Sequence, residues 1–193
     1  DRSVGLTGSA ANVALALAGN FTNNQTHTGV VKVTGNDYTV TDLVTINAGN
    51  EGGEINLNDR SVALTGSAAN VALALAGTFT SGQTHTGVVT ISDNGTTVNA
   101  TDITAIETAK PSGNINITNG VALSGTGAKL KSAAEALDTI HATTTATVTD
   151  TSYTVAQLKA INDKVGGAIT LSTTDVTLSG SAADVKDALA GSF

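Results

Sequence analysis

The sequence predicts an α/β repeat fold: a single array of parallel β-solenoid-like coils of about 29 residues, each with two short strands and one short helix. Three observations predict it. Of the 193 residues, 40% are hydrophobic but only 3% are aromatic, with no Trp, Met or Cys, so burial must come from Val, Ile, Leu and Ala in many thin layers. Residues 1–31 and 59–89 differ at four positions only (Gly5/Ala63, Asn20/Thr78, Asn23/Ser81 and Asn24/Gly82), an offset of 58. Within each 58-residue unit a strand-like run followed by a helix-like run occurs twice, and half a unit is the size of one stacking repeat.

The units fall at 1–58, 59–119 and 120–174, with a partial unit at 175–193; looser copies begin at Val121-Ala122-Leu123-Ser124-Gly125 and Val176-Thr177-Leu178-Ser179-Gly180. The spacing predicts roughly six to seven coils, their strands laddered about 4.8 Å apart and their helices stacked along another side. In the first half-unit, residues 53–57 and 60–66 alternate apolar with polar residues, the period of a strand. Ser67 is a natural N-cap, the Ala-rich run after it favours helix, and Gly77 is placed to stop it. In the second half-unit, residues 85–91 read as strand and residues 101–106 as a short helix. The counterparts of that helix carry Val40, Leu43, Ile46 and Val155, Leu158, Ile161, spaced by three on one helical face. A doubly wound α/β domain or a pair of small α+β domains does not explain near-identity at a fixed offset.

Comparing the four copies of the first helix separates inside from outside, because a position that takes a charge in one copy is expected to face solvent in all. Val13, Val71, Leu130 and Val185 are apolar throughout and belong to the core. Leu15 and Leu73 correspond to Ser132 and Asp187, and Ala14 and Ala72 to Lys131 and Lys186. Ala14, Leu15, Ala72 and Leu73 are therefore the candidate self-assembly contacts, an apolar stripe expected on the surface of the first two units.

The composition excludes several classes of function. A net charge of -7 with nine Lys and Arg gives no basic footprint for nucleic acid or an anionic membrane. No apolar run approaches the ~18 residues of a membrane span, so no membrane insertion is expected. With no Cys there are no disulfides, thiolate metal sites or cysteine nucleophiles. Thr7-Gly8-Ser9-Ala10-Ala11 is a turn and helix cap rather than a nucleophile elbow, and Gly125-Thr126-Gly127-Ala128-Lys129 lacks the ending of a phosphate loop. No catalytic residue and no enzyme activity is expected. His27, His85 and His141 recur near one repeat position; with two coils per unit they lie about 10 Å apart, too far to share a zinc ion. No cofactor is expected, and weak calcium binding at residues 50–54 or 93–95 is the one cation chemistry the scattered carboxylates accommodate. Asp1-Arg2 and Asp59-Arg60 read as turns with a local ion pair.

Tyr153-Thr154-Val155-Ala156-Gln157-Leu158-Lys159-Ala160-Ile161-Asn162, Gly167-Ala168-Ile169-Thr170-Leu171 and the copy opening at Val176 resemble repeats of giant bacterial extracellular proteins, cyanobacterial and proteobacterial, of the adhesin-like or surface-layer-like kind. The resemblance covers essentially the whole chain and carries no catalytic residues. It implies a non-enzymatic structural repeat protein of the cell surface or extracellular matrix, self-associating into a filament or sheet. The alternative is an adhesin or fibre segment whose loops bind glycans or another surface. Extracellular or cell-surface localisation agrees with the absence of Cys, the acidic balance and the abundance of Thr, Asn, Gly and Ala.

Overall fold

The computed structural model describes residues 1–19, 25–80 and 83–193. Among the described residues it is an α/β fold with seven helices and three parallel sheets. In chain order the elements are β1 (Leu6–Gly8), α1 (Ala10–Leu17), β2 (Val31–Val33), α2 (Val40–Gly49), β3 (Ile55–Leu57), β4 (Leu64–Gly66), α3 (Ala68–Leu75), β5 (Val89–Ile91) and β6 (Thr97–Asn99). They continue with α4 (Ala100–Ala109), β7 (Ile115–Ile117), β8 (Ala122–Gly125), α5 (Gly127–Ala136), β9 (Thr145–Val148), α6 (Val155–Asn162), β10 (Ile169–Leu171) and α7 (Ala182–Ala188).

Among the described residues, six of the seven helices begin on a capping hydroxyl, and α4 starts after Asn99 with no side-chain cap bond. Ser9, Thr39, Ser67, Thr126, Thr154 and Ser181 each accept a hydrogen bond from the backbone N–H three residues on, and Thr39–Asp42 and Thr154–Gln157 close capping boxes. Two kinds of helix alternate along the chain. α2, α4 and α6 each bury an apolar triad at spacing three: Val40, Leu43, Ile46; Ala100, Ile103, Ile106; and Val155, Leu158, Ile161. α1, α3 and α5 bury small residues around Val13, Val71 and Leu130. Each helix packs against the next in chain order, and one continuous apolar core runs from Ala10 to Ala188. Gly77 follows the end of α3 as expected, yet its φ is not positive. Glycine makes room there, since a Cβ would sit 2.9 Å from Asn47 Oδ1 and 2.9 Å from Ile55 Cδ1 and both side-chain ends would have to shift.

The sheets run β1-β2-β3, β4-β5-β7 and β10-β9-β8-β6, all pairings parallel. The opening pair recurs at the sequence offset, Leu6 opposite Val31 and Leu64 opposite Val89, but the third sheet has four strands and is not a copy of the others. The uniform coil of two strands and one helix is not what forms. Among the described residues one strand separates α1 from α2, α5 from α6 and α6 from α7, and two separate the other neighbouring helices. Nor is there one continuous ladder. Paired strands lie 23 to 26 residues apart in sequence, whereas successive helices start 27 to 32 residues apart.

Each ladder therefore slips along the chain relative to the helices. It opens on a strand just before a helix (β1, β4, β6) and closes just after one, at Phe79 against Ile55, Thr139 against Asn116, and the Ser192 carbonyl accepting from Ile169 N–H. A mismatch of pitch favours the slip: strands pair at about 4.8 Å while packed helices need roughly 8–10 Å, and two rows advancing in step would have to curve to absorb the difference.

Candidate functional site

Polar side chains in the first two units are spent on bonds that tie one turn of the chain to the next, and the bonds recur at the offset. Arg2 Nη1 donates to the Thr26 carbonyl (3.2 Å) and Arg60 Nη1 to the Thr84 carbonyl (3.0 Å). Thr28 and Gly29 N–H share the Arg2 carbonyl as Thr86 and Gly87 share that of Arg60. Asp1 and Asp59 each accept from the backbone and hydroxyl of the serine two residues on, and these bonds hold the Asp59 carboxyl below its usual range. The expected Asp-Arg ion pairs do not form; the arginines go to the Thr26 and Thr84 carbonyls instead, and an exposed ion pair would have contributed little.

The second half-unit adds its own ties. Tyr38 and Tyr153 hydroxyls donate at 2.6 Å to the Asp59 and Thr173 carbonyls, and burial pushes the Tyr38 phenol up. Asn47 Nδ2 on α2 donates to the Leu73 carbonyl near the end of α3, and Asn162 Nδ2 on α6 does the same for Asp187 on α7, both at 2.9 Å. Asp93 and Asp150 carboxylates accept from the first N–H groups of α3 and α5, at 2.8 and 3.0 Å. Sequence reasoning did not single out Asn47 and Asn162. Their shared place one residue after the last apolar position of the triad, Ile46 or Ile161, was the available signal.

The recurring histidines do not converge. His27 is buried, with Nδ1 2.7 Å from Asn50 Oδ1 and Nε2 2.7 Å from the Val4 carbonyl, and Asn50 Nδ2 donates to Gly53. In the second unit His85 Nε2 lies 3.0 Å from the Val62 carbonyl, but Lys110 ends α4 where Asn50 ends α2, and His85 Nδ1 has no partner. Lys110 turns its Nζ to the Ser112 carbonyl at 2.7 Å. Burial, with a smaller contribution from Lys110, brings the His85 imidazole down to about 4; burial also lowers the Lys110 amine. His141 is exposed, its Nδ1 2.9 Å from Thr143 Oγ1. Among the described residues no three His, Cys, Asp or Glu side chains are grouped to hold a metal ion. At the two expected calcium segments, Asn50 is committed to His27 and Gly53, Glu51 accepts from Thr26, and Asp93 caps α3.

Of the candidate self-assembly contacts, Leu15 and Leu73 are exposed, at 76% and 54%. Ala72 is half-buried against the core, and Ala14 is buried, which corrects its place in the stripe. Ala14 lies one turn beyond Ala10 on the face it shares with Val13 and Leu17, and α1 packs against α2. The lysines at the matching positions misled because a Lys stem lies along half-covered surface while its amine reaches solvent, as Lys131 does beside Glu135. What is left is two leucines on alternate helices, with α2 between them. Among the described residues no helix is long and apolar enough to cross a membrane.

No protein-family model, curated protein or solved structure matches the chain.

Proposed function

We propose that the chain is a non-enzymatic structural repeat protein of the bacterial cell surface or extracellular matrix: a β-solenoid-like array of coils averaging about 29 residues that associates laterally into a sheet or filament. The observation that carries this reading is the recurrence of the same turn-to-turn bonds 58 residues apart, Arg2 to Thr26 and Arg60 to Thr84, along a row of helices that touch in chain order. Such bonds make length by repetition, the property a surface scaffold needs. Leu15 and Leu73, on equivalent faces of α1 and α3, supply the lateral contact. Extracellular placement rests on the composition and on the resemblance to giant surface proteins.

Negative-stain electron microscopy of the purified chain, with calcium and with chelator, tests the reading. Filaments or sheets under both conditions, dispersed when Leu15 and Leu73 are both replaced by Ser, are the expected result. Isolated particles at every concentration would overturn self-association.

A further inference from the structure

We infer that the outer face of α1 is a docking surface for a helical half-unit of the α2, α4 and α6 kind. Residues 6–19 and 64–77 are identical in sequence, so β1-α1 and β4-α3 present the same surface. On α3 that surface is covered by α2; on α1, among the described residues, it is open.

Three positions show what fits. Ala74 is fully buried, as are Ala133 on α5 and Ala188 on α7, whereas their counterpart Ala16 is exposed. A Cβ on Gly66 would meet Val40 Cγ1 at 3.2 Å, one on Gly125 the Ala100 Cβ at 3.0 Å, and one on Gly180 the Val155 Cγ1 at 3.5 Å. Each of those partners is the first residue of the preceding helix of the second kind. At Gly8 the nearest atom belongs to Val13 of its own helix. At the far end, Gly77 and Gly191 lie against Asn47 and Asn162, the residues that bond the Leu73 and Asp187 carbonyls, while Gly19 meets the Ala16 carbonyl and, among the described residues, no side chain of a neighbouring helix.

The small residues at 8, 16 and 19 thus outline a groove with Leu6, Thr7, Asn12 and Val13, shaped for a helix with Val or Ala at its start, an apolar residue every third position and Asn after the triad. Leu6, half-buried here, is the counterpart of Leu64 and Leu123, each 1% exposed. The α7 of a second copy is a poor occupant, because it is of the first kind and carries Asp184, Lys186 and Asp187 on exposed positions.

The inference rests on the array reading, and the test separates the two. The chain has no Cys, so Ala16→Cys and Ala74→Cys each carry one thiol. Maleimide labelling of the folded protein is expected to be fast for Ala16→Cys and at least about 100-fold slower for Ala74→Cys, since a buried site reacts only through opening. Fusing a second copy of residues 30–58 ahead of Asp1 should slow labelling of Ala16→Cys about 10-fold or more. The same extension with its copies of Leu43 and Ile46 replaced by Ser should leave it fast. Equal, fast labelling of Ala16→Cys and Ala74→Cys in the natural chain would sink the array reading itself. Slow labelling of Ala74→Cys with no slowing by the extension, whether or not the added segment resists proteolysis, would overturn this inference alone. So would equal slowing of the unextended Ala16→Cys protein by an excess of the natural chain, which would assign the surface to self-association.

Discussion

Replacing Ala74 by Leu and Ala16 by Leu makes the same chemical change in the same local sequence, Ala-Ala-Asn-Val-Ala-Leu-Ala-Leu, so helix propensity and capping cancel between the two variants. Only the surroundings differ. Ala74 is 0% exposed where α2 crosses α3, and Ala16 is exposed. Three added carbons at Ala74 have no free space and must push α2 and α3 apart, and overpacking of this kind costs about 1–3 kcal/mol. At Ala16 the same carbons project into the open groove, where the change stays within about 0.5 kcal/mol. For a chain of this size each kcal/mol moves Tm by about 2–4 °C, so Ala74→Leu should melt roughly 2–12 °C lower and Ala16→Leu within about 2 °C of the parent. Thermal unfolding followed by circular dichroism at 222 nm reads both. Equal shifts for the two variants would refute the claim that α2 covers α3 while α1 lies open.

Stability should also fall on acidification through His85. Its imidazole titrates near 6.5 when unfolded but near 4 in the fold, so below pH 6.5 the unfolded chain takes up the proton first. The urea midpoint should drop progressively from pH 7 to pH 4, and His85→Phe should flatten that slope; an unchanged slope in the variant would remove His85 as its source. Gly87→Ala should cost about 3 kcal/mol or more, because the new Cβ would press on the Val62 carbonyl and lie 2.7 Å from that of Ser61. Gly52→Ala, at φ 81 but with open space around it, should cost only about 1 kcal/mol. Urea titration of the pair checks the order, and equal losses would contradict it.

Much of the fold was legible because repetition carries its own controls. The 58-residue offset, the Ser67 cap and the apolar triads Val40-Leu43-Ile46 and Val155-Leu158-Ile161 all follow from sequence, and all appear where spacing put them. The strand content did not follow, because nothing in a single coil reports how a strand row with one pitch is reconciled with a helix row of another. Ala14 was misplaced by treating Lys131 as evidence of exposure, when a long side chain can leave a half-covered position for solvent. The contrast between Ala16 and Ala74 could not have been read at all, since the two helices are identical and only the presence of a neighbour distinguishes them.

The central claim, that half-units of two kinds alternate at a fixed phase, is tested most directly by comparing the thermal unfolding of two deletions. Removing residues 32–89 joins Val31 to Thr90 as Val89 is joined to it in the natural chain, and leaves α1 followed by α4, a helix of the second kind. Removing residues 30–58 places α1 directly before α3, two helices of the first kind. The account predicts a cooperative helical transition for the first, larger deletion and a broad or absent one for the second. Cooperative melting of the half-unit deletion alongside loss of structure in the full-unit deletion would contradict it.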